Sequence, residues 1–135
     1  MQWFKDGIEV TELPPETLGF VYLLEYECNK LYVGKKQAIS ITKKHFGKKK
    51  LAAITDKRTK TYEIVVKENN WRSYEGSSKE TEGLVLKKKT ILSFHSTKIN
   101  LTYAELEAMV YRDVLRDERY INKNILGKFF RFKVT

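Results

Sequence analysis

Cysteine, histidine and proline are scarce in this chain of 135 residues. The single cysteine, Cys28, excludes an intramolecular disulfide, and the two histidines, His45 and His95, are too far apart in sequence to form a zinc-ligand pattern. Two prolines and seven glycines argue against a low-complexity chain. The sequence therefore predicts a fold that depends on a hydrophobic core rather than on disulfides or structural zinc.

Long apolar runs are also missing. No segment approaches the ~20 apolar residues that a membrane-spanning helix needs. The start of the chain, MQWFKDGIEV, lacks the basic-then-apolar order of a signal peptide. We therefore expect a cytoplasmic protein with no membrane partner.

Negative charge is under-represented. The chain has 26 Lys and Arg against 17 Asp and Glu, which gives a formal net charge of +9. Such a surplus favours anionic partners, because neutralising phosphates releases counterions and adds affinity. Nucleic acid is the leading candidate, and anionic lipid is the alternative.

The chain has the length of one domain, for which 41% hydrophobic residues supply a modest core. The Pro14-Pro15 pair interrupts regular structure, so we expect an N-terminal arm over residues 1–18 and a domain over residues 19–135. From Phe20 the residues favour a strand, and the turn signal Asn29-Lys30 predicts a hairpin. That hairpin would bring Tyr22 and Tyr32 into one neighbourhood.

Further elements follow from local patterns. The lysine-rich segment 35–60 is expected to hold a short helix and a loop, and segments 61–68 and 89–96 are expected to form strands. Thr102 followed by Glu105 fits a capping box, which predicts that a helix starts near residue 102. Its expected apolar face comprises Tyr103, Leu106, Val110, Val114 and Leu115.

Patterns of Walker A loops, dinucleotide-binding glycines and serine-hydrolase elbows are absent. The tripeptides FVY (Phe20 to Tyr22) and YVG (Tyr32 to Gly34) instead resemble the paired signature of the GIY-YIG nuclease family, with Phe20 in place of the first glycine. NNWRSYEGSS and LTYAELEAMVYRDVLRDERYINKNI resemble blocks of its phage-encoded, free-standing, homing-endonuclease-like branch. The three blocks occur in order over about residues 19–126.

This resemblance implies an α/β (α+β) fold of the small GIY-YIG type. Its central three-stranded antiparallel sheet would be flanked by helices and carry an extra β-hairpin or loop insertion. It also implies a DNA endonuclease that uses Mg²⁺ or Mn²⁺ in the cytoplasm of an infected bacterial host. A homodimer on DNA is a further option, since one active site cuts one strand at a time.

The resemblance assigns the paired tyrosines, Tyr22 and Tyr32, to organising the attacking water and the scissile phosphate. Because a phenol titrates near pH 10, nearby cations would have to favour its phenolate if it acts as a base at neutral pH. Lys35 matches a position where several members place lysine and would supply that field or bind phosphate. Gly34 would let the backbone approach the substrate closely.

Glu105 matches the family's metal-binding glutamate. Carboxylate oxygen suits Mg²⁺, but the same residue would also complete the predicted capping box, and Glu107 is the alternative ligand. The two glutamates lie about 200° apart around a helix, so only one can face the site. Asn122, with Asn124 as the alternative, falls where the family keeps an asparagine near its active site, although a turn role is equally consistent with its position.

The chain departs from the family at the arginine that usually follows YVG on the first helix. Lys43, Lys44 and His45 are candidate substitutes, as are Arg58 and Arg72 from neighbouring blocks. The gap supports an alternative function, a catalytically weak or inactive basic nucleic-acid-binding module. A third interpretation, a basic protein that binds acidic partners, leaves the paired tyrosines unexplained.

Basic and aromatic side chains define the expected DNA-binding surface. Lysine clusters contact the phosphate backbone without reading sequence, and Trp71 would stack on bases unless it packs on the sheet. The candidate DNA-binding residues are Lys36, Lys43, Lys44, His45, Lys48, Lys49, Lys50, Arg58, Trp71 and Arg72.

Overall fold

The computed structural model describes residues 1–53 and 61–131. The strands are β1 (Trp3–Lys5), β2 (Ile8–Val10), β3 (Gly19–Tyr26), β4 (Leu31–Gln37), β5 (Ile39–His45), β6 (Tyr62–Glu68), β7 (Leu86–His95), β8 (Asn124–Ile125) and β9 (Phe129–Phe130). The helices are α1 (Lys48–Ala52), a short 3₁₀ turn (Lys79–Thr81) and α2 (Lys98–Tyr111).

The central sheet has five strands in the order β2-β1-β7-β3-β4. Strands β7, β3 and β4 are antiparallel neighbours, as expected, but β1 runs parallel to β7 and pairs with β2. The central sheet therefore has two more strands than the three predicted, and both additional strands come from the segment that was expected to be an arm.

Trp3 explains why residues 1–18 join the domain. Its side chain is 1% exposed, and its indole N–H donates a 2.7 Å hydrogen bond to the carbonyl oxygen of Trp71. Its ring also makes edge contacts with Phe20 and Tyr22. The structure thus differs from the expected boundary between residues 18 and 19, because this first strand contributes to the core.

Alternating residues of β3 face two separate cores, as the two-residue period of a strand requires. Phe20, Tyr22 and Leu24 lie in an aromatic core with Trp3 and Trp71. On the other face of the sheet, Val21 and Val33 pack against α2 and the segment that follows it. Among the described helices, α2 packs against the central sheet and α1 buries no residue, whereas a sheet flanked by several helices was expected.

Helix α2 starts at Lys98, four residues before the predicted start. The hydroxyl oxygen of Thr97 accepts a 3.1 Å hydrogen bond from the backbone N–H of Asn100 and caps the helix. The predicted capping box at Thr102 and Glu105 was wrong, because both residues lie inside the helix. The side chain of Glu105 is therefore not needed as a cap.

The predicted apolar face of this helix was also partly wrong. Leu101 and Met109 are the buried helix residues, whereas Tyr103 is 67% exposed and Val110 is 61% exposed. The predicted apolar face included Val114 and Leu115, which are buried but lie after the end of the helix. Asp113, in a left-handed conformation, separates the helix from these two residues. None of the helices among the described residues has the length and hydropathy to span a membrane.

Strands β5 and β6 form a separate two-stranded sheet, which confirms the expected extra hairpin. The segment 35–60 was expected to contain only a short helix and a loop, but its residues 39–45 form a full strand. Helix α1, at Lys48–Ala52, is the expected short helix and is exposed along its length.

Candidate active site

The β3–β4 hairpin places the paired tyrosines side by side. Tyr22 pairs with Gly34, and Tyr32 pairs with Leu24, so both rings lie on the same face of the sheet. Their ring centroids are 6.5 Å apart. Asn29, with φ of 59°, supplies the left-handed residue of the turn. The predicted proximity of the two tyrosines is confirmed.

Gly34 makes room for the Tyr22 ring. A Cβ atom at Gly34 would lie 2.5 Å from the Tyr22 hydroxyl oxygen and 2.7 Å from the ring carbon that bears it. Tyr22 is itself 2% exposed and surrounded by core residues, so it has little space to retreat. The glycine is therefore required by a side chain of the site, rather than only by the approach of a substrate.

The surroundings of both tyrosines favour neutral phenols. Burial, reinforced by the neighbouring Tyr74, raises the pKa of Tyr22 well above its usual value. Burial also raises the pKa of Tyr32, although a hydrogen bond with Ser78 opposes the shift. Burial therefore outweighs any effect of nearby cations on the pKa of either tyrosine in the free protein.

Tyr74 is a third tyrosine of the site. Its ring centroid lies 5.8 Å from that of Tyr22, and the two side chains share a hydrogen bond. The buried ammonium of Lys89 holds the Tyr74 segment in place by donating to the carbonyl oxygens of Tyr74, at 2.7 Å, and Arg72, at 3.2 Å. No local sequence pattern predicts that a lysine in the middle of a strand is buried and binds these carbonyl groups.

Glu105 projects from α2 toward the tyrosines. Burial raises the pKa of its carboxyl group, whereas the positive charge of Lys35 and a backbone hydrogen bond from Lys35 lower it. Its charge in turn contributes to the raised pKa of Tyr32 and Tyr22. Glu107 is exposed and acts electrostatically on His95 instead. Of the two candidate glutamates, the structure thus brings only Glu105 to the tyrosine pair.

Lys35 is held beside Glu105 by the same helix. Its ammonium donates a 2.7 Å hydrogen bond to the hydroxyl oxygen of Thr102, one turn before Glu105 on α2. The side chain is half-buried, so its charge is less screened than that of a surface lysine. Lys35 therefore supplies a positive charge directly beside the carboxylate of Glu105.

Asn122 lines the same site and hydrogen-bonds the strand that carries Tyr32. Its side-chain N–H donates a 2.8 Å bond to the carbonyl oxygen of Val33, and its Oδ1 accepts a 3.1 Å bond from the Val33 backbone N–H. The residue is 3% exposed, and its side-chain amide group makes both of these hydrogen bonds to the backbone of β4. Asn122 therefore positions the strand between Tyr32 and Gly34, while Asn124 accepts a bond from the backbone N–H of Gly127.

A polar cavity of about 240 Å³ lies where these elements meet. Sequence reasoning missed Ser78 and Glu80, although Ser78, the last residue of the EGSS motif, is a residue type that favours the N-cap position it takes in the 3₁₀ turn. Ser78 bonds Glu80, and Lys123 lies 3.9 Å from the Glu80 carboxylate. The cavity is lined by Tyr32, Ser78, Glu80, Glu105, Met109, Asn122, Lys123, Asn124 and Leu126.

The donor atoms of this cavity fit a hard divalent cation. Mg²⁺ prefers oxygen ligands, keeps several waters and commonly uses one or two carboxylates. Glu105 and Glu80 supply such carboxylates. Within residues 1–53 and 61–131, no group of three or more His, Cys, Asp or Glu side chains is arranged to hold a metal, so a fully protein-bound ion is not indicated there.

Two of the candidate DNA-binding residues, one buried and one exposed, contact other side chains of the protein. Trp71 is 1% exposed and packs edge-on against Phe20, so the expectation that it stacks on bases is corrected. Arg72 bonds the Glu68 carboxylate and stacks 4.6 Å from the Trp71 ring centroid. The exposed Arg72 guanidinium is thus placed by Glu68 and Trp71.

The remaining basic candidates are distributed along β4, β5 and α1. Lys36 donates to the side-chain oxygen of Asn70 at 3.3 Å and lies 4.4 Å over the Tyr74 ring. Arg58 lies outside the described residues. The exposed candidates are Lys43, Lys44, His45, Lys48, Lys49 and Lys50.

Comparison with protein families gives a match over nearly the whole chain. The family is described as putative endonuclease segE, GIY-YIG domain, and it matches residues 3–125. Comparison with curated proteins and with solved structures finds no match. The matched range includes strands β1 and β2 of the N-terminal segment. It also includes the tyrosine hairpin, Glu105 and Asn122, which form the site. The chain belongs to the GIY-YIG nuclease family, in the branch of the putative endonuclease segE.

Proposed function

We propose that this protein is a metal-dependent DNA endonuclease, a phage-encoded homing-type GIY-YIG enzyme that hydrolyses phosphodiester bonds. The observation that carries the proposal is the convergence of Tyr32, Glu80 and Glu105 on one polar cavity, with the charge of Lys35 beside Glu105. Membership of a nuclease family supplies the reaction class. The product of adding one water across the P–O bond is a phosphate at one DNA end and a hydroxyl at the other.

Glu105 is the proposed protein ligand for Mg²⁺ or Mn²⁺, with Glu80 as a second oxygen donor across the cavity. A divalent cation bound there supplies Lewis-acid stabilisation of the charge that develops on the phosphate oxygens. Members of this family generally use a divalent metal ion. Burial raises the pKa of the Glu105 carboxyl group, and the positive charge of Lys35 beside it opposes that rise.

The other side chains orient the substrate. The neutral hydroxyl of Tyr32 donates a hydrogen bond to the scissile phosphate or to the attacking water. Tyr22, bonded to Tyr74, supports the ring of Tyr32 from the core side. Lys35 supplies the positive charge that an arginine provides in other members. Asn122 is a positioning residue, since it fixes the strand that carries Tyr32 and Gly34.

Replacing Tyr32 with phenylalanine is expected to reduce nicking of supercoiled DNA by ~10²–10³-fold, the usual cost of removing one donor to a transition-state charge. DNA binding measured in chelator should stay within about twofold of wild type, since the ring is retained. Tyr103→Phe is the matched control, because Tyr103 is exposed on α2. Equal nicking by Tyr32→Phe and wild type would remove Tyr32 from the mechanism.

The alternative function is a catalytically weak or inactive nucleic-acid-binding module on the same scaffold. The raised pKa of both tyrosines favours it, because neither phenol is poised as a base in the free protein. The same nicking assay separates the two functions. The binding module predicts that the wild type leaves supercoiled DNA intact while retarding it in a gel.

The exposed lysines of α1 are expected to bind phosphates. Changing Lys48, Lys49 and Lys50 together to glutamine should weaken duplex binding similarly for every sequence tested. The slope of log affinity against log salt should fall by about 0.9 for each phosphate that the variant no longer neutralises. A titration of affinity from low to high salt measures this, and weaker binding confined to one preferred sequence would show base reading by this helix instead.

The setting of the activity is also part of the proposal. A phage homing-type enzyme acts in the cytoplasm of the infected bacterium. Since one active site cuts one strand at a time, we infer that a double-strand break requires either a homodimer on DNA or two successive cuts.

A further inference from the structure

The paired strands β5 and β6, here called the β5–β6 ribbon, stand apart from the central sheet. Seven consecutive pairs join them, from Ile39 with Glu68 to His45 with Tyr62. An isolated two-stranded ribbon is marginally stable in water, so a ribbon of this length is typical of an element that gains a partner.

One face of the ribbon exposes a row of apolar side chains. Ile41 pairs with Val66, and Ile64 pairs with Lys43, so the three apolar residues share a face. The exposed fraction is 56% for Ile41, 59% for Val66 and 55% for Ile64. Contiguous apolar groups at the surface, rimmed by polar ones, mark interaction sites.

The surroundings of this row are strongly basic and therefore indicate an anionic partner. Lys43 lies on the same face, 4.6 Å over the Tyr62 ring, and Lys50 of α1 lies 4.2 Å over the Phe46 ring. The ribbon and α1 together carry Lys43, Lys44, Lys48, Lys49, Lys50 and Lys67 against Glu63 and Glu68. Of the two acidic residues, Glu68 is already paired with Arg72.

The base of the ribbon is attached directly to the active-site strand. Only Ala38 separates β4, which carries Tyr32 and Lys35, from β5. Asn69 clamps the junction, because its backbone N–H donates to the carbonyl oxygen of Ala38 at 2.8 Å and its side-chain N–H donates to that of Gln37 at 3.0 Å. The ribbon therefore has a set direction relative to the cavity.

We propose that the β5–β6 ribbon enters the major groove of the duplex being cut and contacts thymine methyl groups through Ile41, Ile64 and Val66. The major groove, ~12 Å wide, admits a two-stranded ribbon and displays the thymine methyl there. Seven residues of strand extend over about 20 Å, the rise of about six base-pair steps. The inference rests on the proposed function, and it assigns sequence preference to this insertion.

Thymine-to-deoxyuridine replacement tests the contact from the DNA side. A preferred duplex is first selected from a random library with the wild-type protein in chelator, so that binding is measured without cleavage. Deoxyuridine lacks only the C5 methyl, and each contacted methyl that is removed should weaken binding by about fourfold. The protein is unchanged in this arm, so misfolding of a variant cannot produce the result.

Variants test the same contact from the protein side. Ile41→Ala, Ile64→Ala and Val66→Ala together should bind thymine and deoxyuridine duplexes equally. The matched control is Thr42→Ala with Val65→Ala, a cross-strand pair on the opposite face of the ribbon. This control should keep the wild-type preference for thymine.

The outcomes separate the ribbon contact from the nuclease activity. If the wild type nicks DNA but binds both duplexes equally, or if the control variant loses the preference as fully as the triple variant, the ribbon proposal is overturned. Unaltered binding by the triple variant, as expected if the apolar face docks on a protein, also overturns it. If the wild type never nicks DNA yet prefers thymine through this face, the ribbon proposal stands and the endonuclease proposal fails.

Discussion

Replacing Glu105 with glutamine is expected to lower the rate of DNA cleavage by at least about 10³-fold. The substitution keeps the size of the side chain but removes the charge that binds the cation, which contributes several kcal/mol to transition-state stabilisation. Single-turnover cleavage of a labelled duplex in Mg²⁺ measures the rate. Binding of the same duplex in chelator should remain within about threefold of wild type.

Glu107→Gln is the matched control, two residues along the same helix. Glu107 is exposed and lies by His95 rather than by the tyrosines, so its variant should cleave at a rate close to wild type. If the Glu107 variant were inactive and the Glu105 variant active, the metal ligand would be wrongly assigned. Thermal unfolding of both variants checks that neither result comes from loss of fold.

Replacing Gly34 with alanine is expected to reduce cleavage by ~10²-fold, although Gly34 carries no functional group. The new Cβ would sit 2.5 Å from the Tyr22 hydroxyl oxygen, so the Tyr22 ring must shift, and a displacement of ~1 Å in a catalytic group commonly costs this much. Overpacking should also cost about 1–3 kcal/mol of unfolding free energy.

Gly47→Ala provides the comparison for Gly34→Ala. A Cβ at Gly47 meets nothing within 4 Å, and the backbone there has φ of −70°, which any residue adopts. This variant should keep wild-type activity and stability in the same cleavage and unfolding assays. A Gly34→Ala protein that is equally active would mean that the Tyr22 position tolerates movement.

The tyrosine hairpin was predictable because its signals are local. A turn residue at Asn29 between two β-prone runs sets the register, and the register alone places Tyr22 and Tyr32 on one face. The family resemblance then pointed to Glu105. These features depend on residues that are close in sequence or on the spacing of a known pattern.

The remaining features depend on tertiary contacts that local patterns do not show. Strand β1 is three residues long and is held by the burial of Trp3 rather than by strand propensity. Thr97 and Thr102 are both residue types that can cap a helix. In the structure Thr97 caps α2, whereas the hydroxyl oxygen of Thr102 accepts a hydrogen bond from Lys35. Trp71 was assigned by residue type and Asn122 by the family resemblance, whereas burial and bonding partners determine what each side chain does.

The pKa of each tyrosine illustrates the same limit. A tyrosine acting as a base would require nearby cations to favour its phenolate, and Lys35, directly after the YVG tripeptide, was the candidate for that charge. In the folded protein, burial outweighs that field and raises the pKa of Tyr22 and Tyr32. The proposed mechanism therefore uses the neutral hydroxyl of Tyr32 as a hydrogen-bond donor, while Tyr22 supports the Tyr32 ring from the core side.

Conversion of supercoiled DNA to nicked circles by the wild-type protein tests the central claim most directly. Nicks should accumulate in Mg²⁺ or Mn²⁺, and cutting should stop when a chelator is added, because Glu105 and Glu80 alone leave the phosphate charge unneutralised. Restoring excess metal should restore cutting. Equal nicking with and without chelator would contradict a metal-dependent mechanism at this site.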